Sequence, residues 1–188
     1  MRLFVALNLP PAERAAAWSV VEPLREALPG GVSWTREESL HVTLRFLGEQ
    51  PAAVADALAS SLANRVGTAT PPRVSLDAVG AFPTPRRPRV LWLGGPSNSA
   101  LAELYQHVQQ ACVTLGLDPE PRPFRLHVTV GRVRPGARVD VAAFEGAAAV
   151  VVPRISFVAA TVDVMESELS AAGSRYRVAA AVPIGSRG

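Results

Sequence analysis

The sequence predicts an α+β fold of mainly antiparallel sheet, built as two lobes that share one core. Three observations predict it. Short strand-like runs alternate with helical ones and are joined in places by hairpin signals. The frame Leu-His-Val-Thr occurs once in each half, in "LHVTLRFLGE" (40–49) and in "LHVTVGRVRP" (126–135). No low-complexity linker separates the halves, so 188 residues read as one domain, 1–188, rather than two free ones.

The elements follow in order. "RLFVALNL" alternates as a strand. "PPAERAAAWSVVEPLREAL" starts with proline and reads as a helix that Pro23 kinks or divides. "GGVSW" turns into a short strand near Trp34, and residues 39–47 form the next, ended by "GEQP". "PAAVADALASSLANRV" is Ala-rich and helical. "PRVSLDAVGAFP" and "RVLWLGG" read as two strands joined by a stiff hairpin tip, "TPRRP". In "NSALAELYQHVQQACVTLG", Leu101, Leu104, Val108 and Cys112 recur at helical spacing and Gly116 closes the helix. Residues 126–133 form a strand and "VDVAAFEGAA" a short helix. "RISFVAATVDVMES" and "SRYRVAAAVPI" are strands flanking the hairpin "ELSAAGS".

Composition narrows the function classes. Hydrophobic residues make up 48% of the chain, enough for a substantial core. All 19 basic residues are Arg, a pattern of GC-rich coding rather than of selection for bidentate contacts at every site. The net charge of +3 permits weak attraction to polyanions. Cys112 is the lone cysteine, which excludes a disulfide framework and a Cys-rich metal site. The start "MRLFVALNLPPAER" is too short in its apolar run for a signal peptide, and no stretch approaches a membrane span. A soluble, cytoplasmic protein with no membrane partner is expected.

The doubled frame carries the chemistry. Alternation along a strand puts His41, Thr43 and Arg45 on one face and Leu40, Val42, Leu44 and Phe46 on the other. It likewise puts His127, Thr129 and Gly131 opposite Leu126, Val128 and Val130. A single strand histidine is ordinarily structural; two in the same frame, in a chain with three, point to function. If the two polar faces oppose, a cleft carries one imidazole and one hydroxyl on each wall. That pair suits in-line substitution at phosphorus, with one histidine taking a proton from the nucleophile and the other protonating the leaving oxygen. The threonines can donate to non-bridging oxygens. A strained 2',3'-cyclic phosphate fits, because water can open it without a metal. Glu37, Glu38 and Glu49 fall at no recognisable ligand spacing, so neither metal nor cofactor is expected. His107, among polar neighbours, reads as a solvated helix residue.

These residues resemble the two-histidine phosphoesterases, and within them the RNA 2',3'-cyclic phosphodiesterases, also called 2'-5' RNA ligases. "RLFVALNLP", "SLHVTLRFLGE", "GAFPTPRRPRVLWLG", "RPFRLHVTVGRV" and "VDVMESELSAAGSRYRV" are similar to successive segments of that family, across nearly the whole chain. The resemblance implies two mainly antiparallel sheets related by a pseudo-twofold axis, helices on the outer faces and an active cleft between lobes. It implies His41 and His127 as catalytic residues, with Thr43 and Thr129 binding phosphate. His41 is then the acid that protonates the departing 3'-oxygen, and His127 the base that activates water. Arg132 is carried over as a phosphate ligand, although strict alternation puts it opposite His127 unless the strand bulges near Gly131. Leu126 stands where a proline commonly precedes the second histidine.

Arg45 is a further phosphate-ligand candidate, on the right face. Trp34 is a candidate face for a nucleobase, whereas Phe46 falls on the core side by alternation. Arg86, Arg87 and Arg89 form a basic tip able to follow an RNA backbone. RNA ends or small cyclic nucleotides are the expected partners of a monomer. The same site would also serve 2'-5' cleavage or ligation, an ADP-ribose cyclic phosphate, or non-catalytic binding of RNA ends.

Overall fold

The computed structural model describes residues 1–170 and 173–186. Its strands are β1 (Arg2–Asn8), β2 (Val32–Trp34), β3 (His41–Glu49), β4 (Arg73–Leu76), β5 (Ala78–Thr84), β6 (Arg87–Gly94), β7 (His127–Val133), β8 (Ile155–Val158), β9 (Thr161–Ser170) and β10 (Gly173–Pro183). Its helices are α1 (Pro11–Val20), α2 (Glu22–Ala27), α3 (Ala53–Val66), α4 (Ser99–Thr114) and α5 (Val141–Val150). The break between α1 and α2 falls at Val21, two residues before Pro23, as the sequence predicts. The turn of the hairpin read at "ELSAAGS" includes residues 171–172, outside the described residues.

Two long strand readings divide. "PRVSLDAVGAFP" breaks at Asp77 into β4 and β5, and "RISFVAATVDVMES" breaks at residues 159–160 into β8 and β9. In each case the pieces enter different sheets: β4 pairs with β8, while β5 and β9 join the large sheet. That sheet runs β10-β9-β1-β3-β7-β6-β5, with β2 added to β7. Its pairings are antiparallel, and its two halves meet at one residue pair, Val42 opposite Val128.

That pair stands one residue after each histidine. Equivalent positions lie face to face, so a local twofold axis passes between the two Leu-His-Val-Thr frames. The small sheet repeats the relation. "PRVSL" (72–76) and "PRISF" (153–157) are a second internal repeat, and their serines, Ser75 and Ser156, are directly opposite with hydroxyl oxygens 3.4 Å apart. In chain order β1-α1-β3-α3-β4-β5 therefore corresponds to β6-α4-β7-α5-β8-β9. Each repeat donates its last strand to the other's half: β5 pairs with β6, and β9 with β1. Such an exchange explains why the lobes share one core.

Helices cover the face that carries Leu40, Val42, Leu126 and Val128, all buried. α4 turns Leu101, Leu104, Val108 and Cys112 inward, is capped by the Asn98 side chain accepting from the Leu101 N–H at 2.9 Å, and is closed by Gly116 at φ 79°. No helix of the described residues is long and apolar enough to cross a membrane.

Candidate active site

Both frames carry the same irregularity. β1 pairs Val5 with Arg45 and Ala6 with Thr43, leaving Leu44 as an extra residue. β6 pairs Leu91 with Gly131 and Trp92 with Thr129, leaving Val130 extra. A bulge four residues along each frame reverses the facing of the residues beyond it. Leu44 and Arg45 are consecutive buried residues, as are Val130 and Gly131.

The bulges redistribute the expected ligands. Arg132 turns to the histidine face and is exposed, and its charge acts on both imidazoles. Arg45 turns away, contrary to the alternation reading. It is 8% exposed, donates to Gln109 Oε1 at 2.9 Å and to the Asp118 carbonyl, and lies 3.9 Å from Glu120. It ties β3 to α4 and the loop after it, out of reach of the cleft. Phe46, expected in the core, is instead 56% exposed and lies beside Phe4 at 5.9 Å. Trp34 is no open platform: it packs against the core, and a Cβ at Gly131 would meet its ring at 3.0 Å and Val32 at 2.8 Å. Glycine at the second bulge is thus required by β2, where the first frame has room for an arginine.

The imidazoles are held alike. His41 Nδ1 lies 2.7 Å from the Ser39 carbonyl and His127 Nδ1 lies 2.7 Å from the Arg125 carbonyl. A carbonyl only accepts, so each Nδ1 carries a proton and each Nε2 is the atom free to exchange one. His41 Nε2 is 3.0 Å from Thr43 Oγ1, which donates to it in the neutral state. His41 packs on Phe4 at 5.0 Å and meets the edge of Tyr176 at 5.2 Å; His127 meets Phe82 edge-on at 5.0 Å. Phe4, Ala6 and Met165 form a separate small buried cluster under this side of the sheet.

Burial lowers the His41 pKa to about 4; the Ser39 carbonyl opposes this, and the charges of Arg132 and His127 add to it. Burial also lowers His127, opposed by the Arg125 carbonyl and aided by Arg132. Both rings are neutral at pH 7 when the cleft holds no anion. An anion between them favours the imidazolium, so binding takes up a proton. Sulfate affinity, measured by calorimetry, is expected to tighten as pH falls from 8 to 5, by up to about tenfold per pH unit for one proton. A Kd independent of pH over that range would contradict the linkage.

A cavity of about 340 Å³ adjoins His41, and one of about 480 Å³ lies beside Arg125 and Leu126, bounded by Phe82 and Trp92. Arg86, Arg87 and Arg89 are exposed around the β5–β6 turn. His107 sits on α4, 3.6 Å from Glu103, away from the cleft. Among the described residues, no three His, Cys, Asp or Glu side chains gather as metal ligands.

The profile of the 2'-5' RNA ligase superfamily matches residues 10–170. The RNA 2',3'-cyclic phosphodiesterase of Archaeoglobus fulgidus is 36% identical over 138 residues, 71% of this chain and 73% of that one. A solved Thermus thermophilus protein superposes with a TM-score of 0.78 at 26% identity over the whole of both chains. E. coli LigT, solved with 3'-AMP, superposes with a TM-score of 0.73 at 26% identity over 97% of each chain.

Proposed function

This chain belongs to the 2'-5' RNA ligase superfamily, and on that premise we propose that it hydrolyses RNA 2',3'-cyclic phosphate ends to 2'-phosphates without a metal. The observation that carries the reading is the paired geometry: two imidazoles on strands that meet about a local twofold, each anchored through Nδ1 and left to exchange its proton at Nε2.

Water attacks phosphorus on the side away from O3'. His127 Nε2 takes the water proton while the new P–O bond forms. The P–O3' bond breaks, and protonated His41 gives its Nε2 proton to O3'. One proton enters the site and one leaves it, so the pair is reset when the proton returns from His127 to His41 through solvent. Thr43 and Thr129 donate to the non-bridging oxygens, with Thr43 turning from His41 Nε2 to do so. The Arg132 guanidinium offsets the charge that develops on them. Its field disfavours imidazolium in the empty cleft, and the bound phosphate reverses that field, so His41 is loaded with its proton when substrate is present.

The test is incubation with a 2',3'-cyclic mononucleotide in excess chelator, with the product isomer identified by phosphorus NMR. A 2'-phosphate at an undiminished rate is expected. A 3'-phosphate, or turnover abolished by the chelator, would overturn the reading. Replacing water by a 5'-hydroxyl in the same cleft would run 2'-5' joining, the sense in which the superfamily is named.

A further inference from the structure

We infer that the 340 Å³ cavity beside His41 is a nucleobase subsite in which Asp163 Oδ1 accepts from an exocyclic amino group, so that amino-bearing bases are taken in preference to uracil. The inference rests on the proposed reaction for one point: if O3' departs toward His41, its ribose and base belong to the same lobe.

Asp163 is among the few buried charged residues, 4% exposed. Its Oδ2 accepts from Asn8 Nδ2 at 2.7 Å, and the same Nδ2 lies 3.3 Å from Met165 Sδ. Its Oδ1 is buried, closed to solvent and without a hydrogen-bond partner in the protein, so a base reaches it once the carboxylate turns toward the cavity. A buried acceptor left unmade is costly, and such a group within a site calls for a donor from outside. Asp163 borders the cavity together with Asn8, Ser39, His41, Met165 and Tyr176. The other charged side chains there are Arg14 and Glu38; Arg14 donates to the Glu38 carbonyl at 3.4 Å.

Register fixes the span. Asp163 pairs with Ala6, and Ala6 with Thr43, so the carboxylate stands two strands from the phosphate-binding hydroxyl, about 10 Å across the sheet. A nucleoside reaches comparably far from its 2',3' oxygens to the outer edge of its base. Tyr176 and Met165 supply apolar walls for a ring. The residue between Asp163 and Thr43 across the sheet is the small Ala6. The corresponding position of the other lobe holds Trp92, opposite Thr129, and the counterpart of Asn8, opposite His127, is Gly94. This recessed acceptor is therefore particular to the His41 side.

Cytosine and uracil decide the matter: an acceptor that meets position 4 faces an amino donor in cytosine and a carbonyl in uracil, whose only pairing-edge donor is the N3–H. Calorimetry with 2'-CMP and 2'-UMP requires no turnover. Wild-type protein is expected to bind 2'-CMP about tenfold or more tightly, and to favour cyclic CMP by a similar factor in kcat/KM. In Asp163→Asn the amide can present its own donor to the uracil carbonyl, and the preference is expected to level or reverse. Equal affinities in the wild type, the result if water satisfies Oδ1, would overturn the inference whether or not the variant folds. So would an unchanged preference in a folded Asp163→Asn. A clear binding preference with no hydrolysis of either cyclic nucleotide would instead sink the proposed reaction and leave the subsite standing.

Discussion

Replacing His41 or His127 with Ala is expected to lower kcat/KM on a 2',3'-cyclic nucleotide by about 10²–10⁴, the range of general acid or base help. Each ring is partly buried with its Nδ1 bonded to a carbonyl, so no neighbouring group takes over its Nε2. The two losses should not add fully, because proton donation and removal belong to one step. A substrate whose 3'-oxygen is replaced by sulfur separates the roles. Thiolate leaves without a proton, so His41→Ala should recover most of its rate on that substrate while His127→Ala stays slow. Recovery of the His127 variant alone would exchange acid and base. Full activity of either variant on the ordinary substrate would end the two-histidine scheme.

The second large effect distinguishes two arginines that look alike in sequence. Arg132→Ala is expected to cut kcat/KM by about 10²-fold, as loss of one charge-stabilising donor does, with Tm hardly changed because the side chain is exposed. Arg45→Ala is expected to do the reverse. It strips Gln109 Oε1 and the Asp118 carbonyl of a donor, while Glu120 keeps Arg122 at 2.7 Å. At about 1–3 kcal/mol for each of the two acceptors that lose their donor, the loss is about 3 kcal/mol. Tm should then fall by roughly 6–12 °C, while kcat/KM per folded molecule stays near wild type. Thermal melts beside initial rates check both. A stable Arg45 variant with lost activity would return that residue to the phosphate.

His41 and Thr43, like His127 and Thr129, precede the bulges, where strict alternation holds, and their shared faces were readable. Arg45 and Phe46 follow one bulge, and each was expected on the wrong face; Arg132 follows the other, and its facing depended on it. The apolar run Val-Thr-Leu and its partner Val-Thr-Val carry no mark of an inserted residue, since a bulge is set by which neighbour pairs across the strand. The breaks at Asp77 and at 159–160 were hidden for a similar reason: each pair of strands reads as one apolar run until two sheets claim its ends. The "PRVSL" and "PRISF" repeat was a usable signal for the second axis. Asp163 gave none, because a carboxylate in "TVDVMES" is indistinguishable from an exposed strand residue until β1 and β10 close over it.

By itself the sequence determined an antiparallel α+β chain with two matching strands, each presenting an imidazole and a hydroxyl away from its apolar side. Those properties depend on residue order and on the two-residue period of a strand. Only the tertiary structure decided that the strands meet at Val42 and Val128, that Arg132 turns to the histidine face while Arg45 is buried, and that Asp163 lies buried near His41. Those outcomes depend on pairing between segments far apart in the chain. One inserted residue in a ladder inverts every facing beyond it, and no local pattern records the insertion.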